Sequence, residues 1–169
     1  MGVKGDTVAG LAIDFTRSDS EWMRHALSLA RRAEREGEVP VGSVIVRGNE
    51  LVGEGWNRSI ALNDPSAHAE IMALRDAGKR LKNYRLPSCV MYVTLEPCAM
   101  CVSASIHARI ERLFYAASDP KTGALGGAYN LLTAHSHNHV PEARGGLLGD
   151  ESSEQLRAFF RNKRLQRKG

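Results

Sequence analysis

From Ser20 to Glu36 the apolar positions Trp22, Ala26, Leu29, Ala30 and Ala33 return at helical spacing, with charged residues between them. This predicts an amphipathic helix, capped by Ser18 or Ser20 and stopped by Gly37. The period then shortens. VPVGSVIVRGNELVGEGW reads as a hairpin whose strands are VGSVIV and ELVGEGW, with the turn near Gly48 and Asn49. A polar stretch, NRSIALNDPSAHAE, carries the turn signal Asp64-Pro65-Ser66, and a helix is expected from about Ala67 to Lys79. SCVMYVTL is β-branched and aromatic, as a buried strand should be. A helix from Cys98 to about Ala108 and a strand over ERLFYAA follow. The segment from Ser118 to His139 is rich in Gly, Asn and His. It reads as loop, with a short helix around Tyr129 to Leu132. A last helix runs through EQLRAFFRNKRL, with Asp150 or Ser152 as its cap.

The order α, β, β, α, β, α, β, loop, α predicts an α/β layered domain with helices on both faces of a sheet. Its parallel part should lie where strand, helix and strand follow one another. The 169 residues suit one domain with a real core, 43% of them apolar and 25% charged. No apolar run approaches the roughly 20 residues that span a bilayer. Residues 1–18 are expected to form a loose extension without a secretory signal, and residues 19–169 a single domain. Three cysteines do not make a disulfide framework, so the expected compartment is reducing and cytoplasmic. The net charge of +4 and a pI of 9.1 permit a polyanionic partner without demanding one.

The chemistry gathers at two predicted helix starts. Cys98 and Cys101 form a C-x-x-C pair where a helix begins, and a helix N-terminus favours thiolates. Alone, the pair fits zinc ligation, a redox dithiol or chance. The earlier helix opens on His68-Ala69-Glu70. Both openings follow strands or loops that an open α/β sheet collects at one edge, where sites form. One imidazole and two thiolates give three zinc ligands and leave one position open, the mark of a catalytic site. Glu70 stands two positions after His68, so the two side chains do not share a direction. It is placed beside a metal-activated water, where a carboxylate can take and return a proton. A lone Glu in that place would read as an acidic residue favoured by the helix dipole.

H-A-E with P-C-x-x-C is the signature of zinc nucleoside and base deaminases. VPVGSVIV, GEGWNRSI, DPSAHAEIMALR, NYRL, YVTLEPCAMC, IHARIERL and DPKTGA further resemble the bacterial tRNA-specific adenosine deaminases, over roughly Ser20 to Phe160. The resemblance implies the three-layer α/β/α cytidine-deaminase-like fold with a central mixed sheet, one zinc ion per subunit, and a homodimer that helps build the active site. It implies hydrolytic deamination of a flipped-out adenosine to inosine at the wobble position of an arginine tRNA anticodon. By motif position, His68, Cys98 and Cys101 would hold zinc, Glu70 would shuttle protons and Asn57 would hydrogen-bond the base. Backbone groups at Ala69 and around Pro97 and Cys98 would also meet substrate. The chain departs from the family pattern in CVSAS, where Ser103 and Ser105 replace Gly and Met, in FYAAS before the DPKTG loop, and in GGAY after it.

Four further features have two readings each. Asn57 alone is a turn or cap residue. Asp119 and Lys121 sit in what composition alone makes a capped turn, and the resemblance makes it an RNA-facing loop. His135, His137 and His139 alternate, so an extended segment would put them on one face, as a solvent-facing loop or a second metal site. The resemblance places Asn138 and His139 near substrate. Phe159, Phe160 and Arg161 lie in a basic last helix, which reads either as a solvated tail or as a stacking and phosphate surface for RNA. Two rival functions stay open from sequence: a zinc deaminase of a free base or nucleoside, such as cytosine or guanine, and a non-catalytic RNA-binding partner with structural zinc.

Overall fold

The computed structural model describes residues 15–134 and 136–169. It contains helix α1 (Arg17–Arg35), strands β1 (Gly42–Arg47) and β2 (Glu50–Trp56), a single helical turn α2 (Ser59–Leu62) and helix α3 (Ala69–Leu81). Strand β3 (Cys89–Leu95), helix α4 (Ala99–His107), strand β4 (Arg112–Ala117), strand β5 (Glu142–Gly145) and helix α5 (Gly149–Lys168) complete it. The sheet order is β2-β1-β3-β4-β5. β1 is antiparallel to β2 and β3, while β3, β4 and β5 run parallel. The mixed sheet and three-layer α/β/α architecture expected from the resemblance are therefore present.

The two sheet faces carry separate apolar clusters. Ile45, Met91, Val93 and Leu113 pack with Ala69, Ala73 and Ala77 of α3 and with Val102 and Ile106 of α4. Val44, Val46, Tyr92 and Phe114 pack on the opposite face with Met23, Ala26 and Leu29 of α1. Alternation along β1 and β3 deals successive side chains to the two faces. α5 joins the α1 side, touching β4 and β3, and Phe159 is buried there. A Cβ on Gly55 would lie 2.5 Å from the Ala69 carbonyl oxygen, and one on Gly53 2.6 Å from that of Ala73. Only glycine lets α3 lie this close to β2, and that contact fixes where α3 begins.

Several local expectations are corrected. α1 is capped by Thr16, not by Ser18 or Ser20. The Thr16 hydroxyl accepts from the Asp19 N–H at 3.1 Å, and the Asp19 carboxylate accepts from the Thr16 N–H at 2.8 Å, a complete capping box. Phe15 meets Phe114 edge to face at 5.5 Å between ring centroids. Phe15 to Ser18 thus belong to the folded domain, and residues 1–14 of the expected extension lie outside the described residues. α5 has neither Asp150 nor Ser152 as its cap. Leu148 holds that position with a φ of 54°, and the buried Ser152 hydroxyl donates to the Thr94 carbonyl at 2.5 Å. The short helix expected around Tyr129 to Leu132 is a single 3-10 turn over Leu131–Thr133. α2 and β5 were not foreseen: α2 is four residues long, and EARG in β5 shows no apolar alternation to read.

Candidate active site

The site lies at the edge of the sheet where β2, β3 and β4 end. Asn57 follows β2. His68 is the N-cap of α3 and Cys98 the N-cap of α4, and neither makes a side-chain capping bond. Two helix N-termini, each with a partial positive charge, therefore converge on the same point. His68 Nδ1 lies 3.7 Å from Cys98 Sγ and 3.6 Å from Cys101 Sγ, and the sulfurs are 3.8 Å apart. Tetrahedral zinc, with bonds of about 2.3 Å to sulfur and about 2.0 Å to nitrogen, requires sulfurs about 3.8 Å apart and sulfur–nitrogen separations of about 3.5 Å. The triangle fits that ion through Nδ1 of the histidine, and it is the one such three-residue group among the described residues. Three ligands leave the fourth tetrahedral position for a water.

The electrostatics match the geometry. Hydrogen bonding from the Cys101 thiol, with help from His68, brings the Cys98 thiol down to about 4. Cys101 is pushed up, first by donating that bond to Cys98 and then by burial. The pair thus shares one proton, which a divalent cation replaces on binding. The bond with Cys98 raises His68, with burial opposing. Glu70 is 4% exposed, and burial pushes its carboxyl up to about 7. That value suits a group that must both take and return a proton near neutrality.

Asn57 has a definite task in the fold. Its Oδ1 accepts the Ala69 N–H at 2.9 Å and so fixes the first turn of α3, which carries His68 and Glu70. The side chain reads as both a cap and a site residue, with its Nδ2 group left to donate. The same bond occupies the Ala69 N–H expected to meet substrate. Pro97 has no N–H to offer, and its carbonyl accepts from Ala124 N at 2.9 Å. Of the backbone groups singled out from sequence, those at Ala69 and Pro97 are thus engaged within the protein.

A cavity of about 510 Å³ opens over the site. Its walls include Asn57, His68, Glu38, Val39 and Ile60 on one side, and Phe159, Phe160, Lys163, Arg164 and Arg167 of α5 on the other. Glu38 and Ile60 are wall residues that the sequence did not single out. Glu38 is buried and accepts the Ala61 N–H at 2.8 Å, fastening α2 to the wall. Ile60 is 69% exposed at the mouth. A neighbouring cavity of about 480 Å³ is lined by Lys121, Arg157, Phe160, Arg161 and Arg164. Phe160 and Arg164 line both cavities, so the basic helix and the loop bearing Lys121 form one cationic rim. The Asp119 carboxylate is engaged within its own turn, where it accepts from Lys121 N, Thr122 N and the Thr122 hydroxyl.

Asn138 and His139 are not brought to this edge. His139 Nε2 lies 2.6 Å from the Ile110 carbonyl, before the start of β4 and so at the opposite end of the parallel strands. His137 Nε2 lies 2.7 Å from the Leu131 carbonyl. These two histidines bond to main chain, and His135 lies outside the described residues. Ser105, where the chain departs from the family pattern, is fully buried and donates to the carbonyl of Cys101 at 2.8 Å. A serine is accommodated next to a metal ligand because its hydroxyl finds a partner one helical turn back.

The family model described as cytidine and deoxycytidylate deaminase zinc-binding region matches residues 16–117. The chain is 48% identical over 151 residues to a tRNA-specific adenosine deaminase of Haemophilus influenzae, covering 89% of this chain and 87% of that one. It is 44% identical over 146 residues to a protein of the same name from Agrobacterium fabrum, covering 86% and 96%. A solved tRNA:A34 deaminase, studied for A-to-I editing at the wobble position of transfer RNA, superposes with a TM-score of 0.77 at 42% identity, covering 81% of this chain and 99% of that one.

Proposed function

The chain belongs to the cytidine and deoxycytidylate deaminase zinc-binding family, and from that premise we propose that this zinc deaminase converts adenosine to inosine at the wobble position of a tRNA anticodon, that of an arginine tRNA. The carrying observation is a buried carboxyl, that of Glu70, beside three side chains spaced to hold zinc, under a cavity whose outer wall is aromatic and cationic. His68, Cys98 and Cys101 would hold the zinc, which would supply the Lewis acidity that makes a water nucleophilic at neutral pH.

The protein groups supply the rest. Glu70 takes a proton from the water that attacks C6 and delivers it to N1 of the adenine ring. Glu70 then takes the proton of the hydroxyl now on C6 and passes it to the amine there, so that the C–N bond breaks, ammonia leaves, the C6 carbonyl of inosine forms and the carboxylate is restored. Asn57, anchored through its Oδ1, presents Nδ2 to an acceptor on the base. The base reaches this depth only when flipped out of its stack, which an unpaired anticodon-loop nucleotide does at low cost. Phe159 and Phe160 flank the cavity, and the exposed Phe160 offers a ring face to an unstacked neighbour. Lys121, Arg161 and Arg164 meet backbone phosphates. A homodimer in the cytoplasm completes this reading. No helix among the described residues is long and apolar enough to cross a membrane.

Incubation with an anticodon stem-loop carrying adenosine at the wobble position, alongside free adenosine, cytidine, cytosine and guanine, tests the proposal. Inosine in the stem-loop alone is the expected product. Deamination of a small substrate with the stem-loop untouched would instead assign the chain to the free-base deaminases of the same family.

A further inference from the structure

The sequence pattern drew attention to Pro97 and Cys98 and passed over the residue before them. Glu96 is 3% exposed, and its two carboxylate oxygens receive four hydrogen bonds. Oε1 accepts Leu125 N at 2.9 Å and Gly127 N at 2.8 Å. Oε2 accepts the Ser118 hydroxyl at 3.0 Å and Asp119 N at 2.8 Å. Two main-chain bonds run alongside: Glu96 N to the Ala117 carbonyl at 2.8 Å, and Ala124 N to the Pro97 carbonyl at 2.9 Å. A single buried carboxylate thus gathers both ends of the 118–127 loop. The fit is close. A Cβ on Gly127 would come within 2.1 Å of the Asp119 carbonyl oxygen and 2.4 Å of Glu96 Oε2. The loop held in this way carries Lys121 to the cationic cavity that it shares with Phe160 and Arg161.

We infer that Glu96 is a positioning residue for substrate: it fixes the 118–127 loop to the end of β3 so that Lys121 stands in the cationic cavity adjoining the active-site cavity, where it takes an RNA phosphate. The residue touches no reacting atom. Its place next to the ligand turn gives the loop the same rigid base as Cys98, so that RNA backbone and catalytic centre keep one spacing. A glutamine fits the space but replaces one acceptor oxygen with an N–H2 group facing donors, and so forces that end of the loop away.

The inference rests on the RNA-editing reading, and the two fail separately. A wild-type protein that makes no inosine in the stem-loop sinks that reading. If the wild type is active, the test is steady-state kinetics on the stem-loop at several salt concentrations, with zinc content measured for each protein. Glu96→Gln is expected to keep one zinc per chain, to raise KM about tenfold and to lower kcat by less than about threefold. Its plot of log KM against log salt should flatten by about one unit, as for Lys121→Ala, because one phosphate contact is lost. The double variant should then be no worse than Glu96→Gln alone. Ser118→Ala removes one exposed donor from the same network without threatening the fold, and should shift KM the same way by about two- to fivefold. Loss of zinc from Glu96→Gln, a fall in kcat at unchanged KM, or independent addition of the Glu96 and Lys121 effects would each overturn the inference.

Discussion

In the proposed function Asn57 serves both fold and chemistry. Its Oδ1 holds the Ala69 N–H at the start of α3, and the proposal has its Nδ2 donate to the base. The two tasks separate under substitution. Asn57→Asp keeps an acceptor for Ala69 and loses the donor. It should melt within a few degrees of wild type while kcat/KM on the stem-loop falls by about a hundredfold or more. Asn57→Ala should lose the activity and also about 1 kcal/mol of stability, the usual worth of a helix cap. Equal melting temperatures for the two variants would show that the Ala69 bond contributes nothing. The metal ligands were the most readable residues in the chain, because zinc demands particular donor atoms and α-helical C-x-x-C spacing delivers two of them together. Glu96 was not readable at all: a Glu that ends a strand looks like any solvated Glu until the four donors around it are seen.

At the scale of elements, periodicity located every long helix and strand, while caps and short pieces escaped it. The Thr16–Asp19 capping box lies just ahead of the apolar stripe that defines α1, where hydrophobic spacing is silent. Asp19 does more than cap, since Tyr92 of β3 donates to it at 2.6 Å, tying the first turn of α1 to the sheet. Burial works to raise the Asp19 carboxyl. The bonds from Tyr92 and from Thr16 outweigh it, and the group titrates below the usual carboxylate range. A depressed folded pKa gives stability that is full above the unfolded value, about 3.9, and that disappears as pH falls through the folded one. The difference in melting temperature between wild type and Asp19→Asn should therefore be constant from neutral pH to about pH 5 and shrink below about pH 4. A difference that stayed flat down to pH 2, measured by thermal scans across that range, would show that the charge on Asp19 plays no part.

Across the whole molecule, the two helix N-termini and the basic helix reach the same edge of the sheet from opposite faces. α3 and α4 bring the metal ligands and Glu70 from one side, and α5 brings Phe160, Arg161 and Arg164 from the other. No sequence pattern announces this meeting, because it depends on the register of β3 with β4 and on the close seating of α3 against Gly53 and Gly55. The basic composition of the tail hinted at RNA without saying which end of the sheet it would reach. The alternating histidines suggested a shared face, yet His137 and His139 bond to separate main-chain carbonyls. Replacing Arg161 and Arg164 together by Gln should weaken stem-loop binding and flatten its log–log salt dependence by roughly one to two units. An unaltered slope would place the RNA backbone elsewhere.

The most direct test of the central claim is one sample of Glu70→Gln assayed for zinc and for inosine. Glutamine keeps the size of the side chain and removes its capacity to take a proton. The account predicts one zinc per chain, retained stem-loop binding and a loss of turnover of about a thousandfold or more. Turnover within tenfold of wild type with zinc in place would contradict the assignment of Glu70 as the proton carrier, and loss of zinc would show that the carboxylate belongs to the metal's own ligand set.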